Sequence, residues 1–223
     1  MELLWTGHAL SAALKSGGSV AGALTATTTP VTYPKATRGL HFGGTSANVS
    51  FGNIASLQSI HFKRSSYMVI AAAANVADAI WFSMSDSIQG FEFGNSFNGT
   101  TNVLTLTLQR PSVAVEKGIT NDITARYPRP ATLIATYDGT EANTAINFYI
   151  DGLLGTGDAA STTAGSGTPA AQTTAAMKLG STPSGSCTGE LYLAAIASKT
   201  WSDGEVWSLT QNPWQLFNWV QRI

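Results

Sequence analysis

The chain has 223 residues, of which 43% are hydrophobic and only 11% are charged, and its formal net charge is −1. A typical globular domain has roughly 25% charged residues, so small polar side chains dominate this surface. Without a basic face there is little attraction for phosphates, which argues against a nucleic-acid partner. The single cysteine, Cys187, excludes an intramolecular disulfide framework.

The N-terminal residues lack the features of an export signal. Glu2 stands where a positive charge is expected, and His8 and Lys15 interrupt the apolar run. No stretch reaches the roughly 18 apolar residues needed to cross a bilayer. We therefore expect no signal peptide and no membrane partner. Because strand-like alternation is absent before about Val31, we predict an N-terminal arm over residues 1–36 and one domain over residues 37–223.

Alternation of apolar and polar residues with a period of two dominates the rest of the chain. In "NVLTLTLQR", three leucines fall on one face and two threonines on the other, which is typical of a half-buried antiparallel strand. Strands are predicted over residues 39–42, 47–51, 59–63, 67–72, 79–84, 90–93, 102–110, 131–137, 145–152, 177–179 and 190–198.

Turn residues separate these short strands. Asp138-Gly139 and Asp151-Gly152 are hairpin signals, because Gly supplies a positive φ at little steric cost. Roughly a dozen short strands divided in this way predict an all-β fold, a two-sheet antiparallel jelly-roll sandwich. Residues 153–176 are small, polar and low in complexity, so we expect a flexible loop there.

One helix is predicted, in "WSDGEVWSLTQNPWQLF". Ser202 followed by Glu205 fits a capping box, and Pro213 ends the helix after about two turns. A helix this short must pack on another element. Three aromatic residues after the start of the helix are expected to pack against the sandwich: Trp207, Trp214 and Phe217. Trp201, just before the cap, remains a candidate for contact with a ligand.

The order "ATLIATYDG", "AINFYIDG", "MKLGSTP", "GELYLAAIASKTWSDGEVWSL" and "NPWQLF" resembles the C-terminal half of a laminin-G-like or concanavalin A-like lectin-glucanase jelly-roll domain. The upstream "GLHFGGTSANVSFG" resembles the opening strand pair of that family. The ending "NPWQLF" resembles domains of this kind in tailed-phage and prophage structural proteins. Because the family includes lectins, glucanases, adhesion modules and virion components, the resemblance implies a fold without selecting a function.

No catalytic residues are predicted. A glycosidase needs two carboxyl groups across the scissile bond, but Glu92 and Glu116 are isolated in the sequence. "GSCTG" around Cys187 is interpreted as a turn because every histidine lies upstream. No cofactor is expected, although relatives with this fold often bind calcium. Asp138 and Asp151 are weak calcium candidates, and the favoured alternative is that both aspartates simply form hairpin turns.

Carbohydrate binding needs aromatic platforms beside a few polar groups. Alternation in "AINFYIDG" places Asn147, Tyr149 and Asp151 on the face opposite the apolar residues, so this trio is the best candidate site, and Tyr137 and Trp201 are added to it. Trp81 is expected on the face opposite its apolar neighbours, exposed or covered by the arm.

These observations lead to two readings of function. The first is a non-enzymatic virion structural protein of a bacteriophage, decorating the head or associated with the tail, with other virion proteins as partners and a homo-oligomeric state. Its location would then be the virion. The alternative is a lectin-like, carbohydrate-binding module that attaches to cell-surface glycans.

Overall fold

The computed structural model describes eleven stretches of the chain. They are residues 3–6, 31–32, 40–44, 48–73, 79–86, 88–97, 102–121, 128–155, 159–180, 187–213 and 215–216. Within them, no helix is both long and apolar enough to span a membrane.

The described residues form β-strands and one α-helix. The strands are β1 Leu3–Thr6, β2 Val31–Thr32, β3 Leu40–Gly44, β4 Asn48–Ser50, β5 Ser65–Ala73, β6 Ala79–Ser85, β7 Gly90–Phe97, β8 Asn102–Gln109, β9 Val115–Asn121, β10 Ala131–Tyr137, β11 Ile146–Ile150, β12 Leu153–Leu154, β13 Ala159–Thr163, β14 Lys178–Gly180 and β15 Cys187–Ala197; the helix is α1 Asp203–Gln211.

The strands build two antiparallel sheets. One has eight strands in the order β12-β11-β10-β5-β15-β3-β2, with β1 also paired to β15, and the other has seven in the order β13-β9-β8-β7-β6-β14-β4. Many neighbours in these orders are distant in sequence, as expected when a chain crosses repeatedly between the layers of a jelly roll. The predicted all-β, two-sheet antiparallel sandwich is confirmed.

The main hydrophobic core lies between the two sheets. Leu104, Leu106 and Leu108 of β8 are fully buried there, as their alternation predicts. Tyr67 of β5 stacks on Phe82 of β6 with ring centroids 6.0 Å apart, so aromatic side chains join the two layers.

Trp81 departs from the predicted alternation. Its side chain is fully buried in the same core as Phe82, not on the opposite face. The pairing of β6 with β7 shifts register between Ile80 and Phe82, and an irregularity of this kind turns an extra residue to one face. The prediction for Trp81 was therefore wrong.

Helix α1 covers the outer face of the eight-stranded sheet. The Ser202 side chain accepts from the backbone of Glu205 and the Glu205 side chain accepts from the backbone of Ser202, so the predicted capping box is present. Val206 and Leu209 are buried in a second hydrophobic cluster against the sheet. Most of the stability of this two-turn helix therefore comes from packing rather than from propensity.

Four secondary-structure predictions were wrong. Cys187 and Gly189, interpreted as part of a turn, lie in β15, because their backbone pairs with Gly44 and Phe42 of β3. Residues 59–63 contain a 3-10 helix, Ile60–Phe62, instead of a strand. The β9 strand was missed because Glu116, Lys117 and Gly118 disguise its alternation. Residues 153–176 are not one loop, since they include β12 and β13.

Part of the predicted N-terminal arm forms strands of the sandwich, which the sequence did not indicate. Leu3–Thr6 forms a strand whose partner is β15, with Leu3 opposite Ile196, and Val31 lies opposite Phe42 of β3. Both short strands gain their backbone hydrogen bonds from a longer strand of the sandwich. The rest of the predicted arm lies outside the described residues.

Candidate functional site

Helix α1 presents two flanks on either side of its buried stripe. At 100° per residue, Val206 and Leu209 point to the sheet. Trp207 falls on the flank nearer β11 and β12, and Ser208 falls on the opposite flank. Two candidate sites follow from this placement, one on each flank.

On the first flank, the Trp207 side chain is 51% exposed. An added Cβ on Gly152 would lie 2.9 Å from Cε3 of Trp207 and 3.3 Å from Oγ1 of Thr210. The indole is therefore seated directly on the backbone of Gly152, and no residue with a side chain fits beneath it without a shift. We call Trp207, Gly152, Thr210 and Asp151 the Trp207 surface.

The hairpin beneath the indole is tightly fixed. Asp151 and Gly152 both have positive φ, 52° and 82°, as a two-residue type I′ turn requires. The Asp151 carboxylate accepts a hydrogen bond from the Thr132 backbone at 2.9 Å, and the Asp151 amide donates to the Thr132 carbonyl at 2.8 Å. The predicted Asp-Gly turn is confirmed, and it holds the seat of Trp207 against β10.

Tyr149 is buried, in contrast to the sequence-based expectation. Its side chain is only 4% exposed, because α1 covers the face of β11 on which it lies. Its hydroxyl donates to the Asp203 carboxylate at 2.6 Å. Burial, together with that carboxylate, raises the pKa of Tyr149 to about 12, so the hydroxyl remains a proton donor that ties β11 to the helix. Asn147, two residues earlier, is exposed.

Trp207 takes the place that the sequence assigned to Tyr149. It was expected to pack, whereas half of its surface faces solvent. The expected packing of Trp214 and Phe217 concerns residues outside the described part of the chain. Among the predicted trio, the structure places Asp151 next to Gly152 in the hairpin under Trp207, but it places Asn147 opposite Thr136, at the other end of β11.

Tyr137 and Asp138 lie away from the Trp207 surface. Tyr137 is fully buried; its hydroxyl donates to the Thr140 carbonyl and accepts from Arg110 Nη2 at 3.1 Å. Asp138 accepts from the Thr140 amide at 2.8 Å, which is the turn geometry that the sequence favoured over a calcium ligand. Within the described residues, no three His, Cys, Asp or Glu side chains are grouped as a metal would require.

Trp201 lines a cleft on the second flank of α1. Its side chain is 4% exposed, and the cleft beside it has a volume of about 310 Å³. We call this the Trp201 cleft, and its lining residues are Ala197, Ser198, Lys199, Trp201, Glu205, Ser208, Leu209, Gln215 and Leu216.

Polar pairs form the rim of the Trp201 cleft. Lys199 donates to the Glu205 carboxylate, and Ser208 Oγ lies 3.0 Å from Nε2 of Gln215. The hydrogen bond from Lys199, followed by that from the Ser202 backbone, lowers the pKa of Glu205. The Glu205 carboxylate therefore stays ionised near neutral pH.

A row of polar residues crosses the outer face of the seven-stranded sheet. Ser83 lies opposite Glu92, Glu92 opposite Thr107, and Thr107 opposite Glu116. The two glutamates, isolated in the sequence, are thus two strand spacings apart, about 9.5 Å between backbones. Burial, and to a lesser degree Glu116, raises the pKa of Glu92. Sequence reasoning missed this row because it depends on strand order.

Comparisons with known proteins identify the fold but no family. No family model matches the chain, and no curated protein matches it. Among solved structures, the binding domain of botulinum neurotoxin serotype D matches with a TM-score of 0.65 and 11% identity, over 94% of this chain and 51% of that one. The chain therefore spans about half the length of this toxin domain.

Two shorter proteins have similar folds. The CBM40 of the Ruminococcus gnavus IT-sialidase, bound to α2,3 sialyllactose, matches with a TM-score of 0.56 and 10% identity, over 77% of this chain and 96% of that one. A heptameric SAP-like pentraxin from Limulus polyphemus matches with a TM-score of 0.50 and 14% identity, over 67% and 70%. At these identities the likeness concerns the fold alone, a two-sheet antiparallel β-sandwich.

Proposed function

We propose that this chain is a non-catalytic, carbohydrate-binding module that holds a sugar ring on the Trp207 surface. The observation that carries the proposal is a half-exposed indole seated on Gly152. The likeness of the fold to a sialidase CBM40 bound to sialyllactose supports this alternative over a virion role. The virion role stays a prediction.

The chemistry of the Trp207 surface suits a sugar. One face of a pyranose ring carries C–H groups that pack on an aromatic ring, while its hydroxyls need donors and acceptors at the edge. Asp151 supplies a half-buried carboxylate and Thr210 a hydroxyl. Both groups lie beside Gly152, on which the indole packs: Asp151 precedes it in the hairpin, and Thr210 contacts it from the next turn of α1.

The surface is also preorganised. Gly152 fixes the position of the indole, the Asp151–Thr132 bonds fix the hairpin, and the Tyr149–Asp203 bond fixes the helix against the sheet. A ligand that binds to such a surface orders few side chains, so little of its interaction energy is lost to entropy. Because the surface is shallow, we expect a Kd for a single sugar near 1 mM, or about −4 kcal/mol.

The carboxylate of this surface, Asp151, and that of Asp203 at the start of α1 are already engaged in structural bonds. Asp151 accepts from Thr132 and Asp203 accepts from Tyr149. Neither is placed as one of two groups facing each other across a glycosidic bond, as hydrolysis requires. We therefore propose binding without turnover at this surface.

The test is a glycan array probed with the full chain, followed by calorimetric titration of the best glycan. Trp207→Ala should weaken binding at least tenfold, which corresponds to about 1.4 kcal/mol. Ile88→Ala is the matched control, because Ile88 is 55% exposed in a turn that lies apart from α1. The control should bind as the wild type does.

Two results would contradict the proposal. Binding to no glycan on the array would reject the function, and unchanged affinity in Trp207→Ala would reject the site. The buried half of the indole contributes about 2–3 kcal/mol at roughly 25 cal/mol per Å², less than the 5–15 kcal/mol that is typical of a domain. The variant should therefore remain folded, which circular dichroism checks.

A second candidate is a subunit contact, favoured by the edge of the eight-stranded sheet. Leu153 and Leu154 of β12 are 68% and 52% exposed, and β12 is the terminal strand of its sheet. An apolar edge strand without charges invites pairing with another chain. If this edge forms an oligomer, light scattering should detect it in the wild type and Leu153→Lys should reduce it. A monomeric wild type would reject this candidate.

A further inference from the structure

The Trp201 cleft divides into a floor and a rim of different chemistry. Its floor is formed by side chains that are at most 4% exposed: Ala197, Trp201, Leu209 and Leu216. Its rim carries the polar side chains Ser198, Lys199, Glu205, Ser208 and Gln215. A ligand must therefore present an apolar group inward and polar groups outward.

The floor selects against an unsubstituted sugar. A hydroxyl pressed against the carbon atoms of Trp201 and Leu209 would lose its bond to water and find no partner there, which is unfavourable. A methyl group in the same position loses only contact with water and gains dispersion contacts. The inward part of the ligand is thus expected to be a methyl or similar small apolar group.

The rim complements an amide. Ser208 Oγ lies 3.0 Å from Nε2 and 3.1 Å from Oε1 of Gln215, so the carboxamide keeps its second N–H donor and a second lone pair on Oε1 for a ligand. Backbone hydrogen bonds fix Gln215 in this position. The backbone N–H of Gln215 donates to the Asn212 carbonyl, and the backbone N–H of Leu216 donates to the Pro213 carbonyl. An acetamido group, with one N–H and one carbonyl beside a methyl, matches these partners.

The charge and the volume of the cleft further limit the class of ligand that it can hold. Lys199 and Glu205 neutralise each other at the rim, so an anionic group near Lys199 would also face the Glu205 carboxylate. The volume of about 310 Å³ is at the lower end of small-molecule sites. It corresponds to about ten water molecules at roughly 30 Å³ each, enough for one ring with one substituent.

We infer that the Trp201 cleft is a second sugar site, specific for a neutral N-acetylated hexosamine whose acetamido methyl lies on Trp201 and Leu209. This inference rests on the proposed function in taking a sugar as the ligand. In this inference the Trp201 cleft recognises the acetamido group, whereas the Trp207 surface, on the other flank of α1, stacks on a sugar ring. A glycan that reaches both flanks would then be held at two points.

The experiment is saturation-transfer NMR on the full chain with two probes, methyl N-acetyl-β-D-glucosaminide and methyl β-D-glucoside. The expected result is the strongest saturation at the acetamido methyl and at least tenfold tighter binding of the N-acetylated probe. Ser208→Phe should abolish this binding, because Ser208 is exposed on α1 and a phenyl ring there fills the mouth of the cleft. Gln211→Ala, also exposed on α1 but outside the cleft lining, is the matched control.

The outcomes separate this inference from the proposed function. If both probes bind equally, or if Ser208→Phe binds as the wild type does, the inference is overturned and the proposed function stands. Tighter binding of an anionic N-acetylated sugar than of the neutral probe would overturn the claim of neutrality. Trp207→Ala should keep the preference for the N-acetylated probe over the glucoside; loss of that preference in this variant would place the acetamido group at the Trp207 surface and overturn the assignment to the cleft.

Discussion

His61 provides a quantitative test of the packing at one end of the sandwich. Its side chain is fully buried in the 3-10 helix Ile60–Phe62. Neither ring nitrogen has a hydrogen-bond partner in the described part of the chain, and the ring meets Phe62 edge-on at 4.9 Å. Burial, followed by the positive charge of Arg110, lowers the pKa of His61 to about 4; the nearby Ala170 backbone and, to a smaller degree, Asp86 offset only part of this effect.

The sign and size of the pH effect follow from this pKa. A histidine titrates near pH 6.5 in the unfolded chain, so the folded state holds fewer protons between pH 6.5 and 4. The contribution of neutral His61 to the free energy of unfolding is therefore fully present above pH 6.5, and it is lost as the pH falls toward 4. Between pH 7.5 and 4.5 the expected loss in the free energy of unfolding is about 2.5 kcal/mol, at 1.36 kcal/mol per pKa unit.

The assay is urea unfolding of the wild type, His61→Leu and a control at both pH values. His61→Leu removes the titrating group and two unpaired nitrogens, so it should be about as stable as the wild type at pH 7.5. Between pH 7.5 and 4.5, His61→Leu should lose about 2.5 kcal/mol less of its free energy of unfolding than the wild type does. His41→Gln, at a half-buried position in β3, should lose as much as the wild type. An equal loss in the wild type and His61→Leu would refute the reasoning.

Two further predictions concern Gly152 and Glu92. Gly152→Ala should destabilise the chain by about 1–2 kcal/mol and weaken glycan binding, because the φ of Gly152 is +82° and the new Cβ would lie 2.9 Å from Trp207. The control is Gly204→Ala, where nothing lies within 4 Å of the new Cβ, so glycan binding should be unchanged and stability unchanged or higher. Equal effects of the two substitutions in thermal unfolding would contradict this prediction. Burial raises the pKa of Glu92, so its stability contribution is full below its unfolded pKa and is lost as the pH rises. Glu92→Gln should therefore melt at a higher temperature than the wild type at pH 7.5, with the difference shrinking toward pH 3.5; a lower melting temperature at pH 7.5 would contradict this.

Local features of the fold were predictable from the sequence. The leucines of β8, the Asp151-Gly152 turn and the Ser202–Glu205 capping box each depend on residues that are close in the chain, and each is present. Local sterics and short-range hydrogen bonds determine these features, so a single sequence contains the information for them.

The exposure of the aromatic residues was not predictable in the same way. Tyr149 lies on the polar face of β11 by alternation, but whether that face meets water depends on where α1 packs. Once α1 covers it, Tyr149 is 4% exposed, and Trp207, on the flank of the helix, is 51% exposed. The helix pattern indicates which residues are adjacent on α1, but not which sheet lies beneath them.

Strand order and strand irregularity account for the other differences. Glu92 and Glu116 share a row only because β7, β8 and β9 are neighbours. Trp81 turns into the core because of a register shift of one residue, and such a shift leaves no clear mark in the alternation. Both depend on contacts between distant parts of the chain.

The most direct measurement of the central claim follows the indole N–H signals of the six tryptophans by NMR during titration with the best array glycan. The Trp207 signal is assigned by its absence in Trp207→Phe. This signal should shift in a saturable way, while that of Trp81, which is fully buried in the core, should not move. A Trp207 signal that does not move while the glycan binds would contradict the claim.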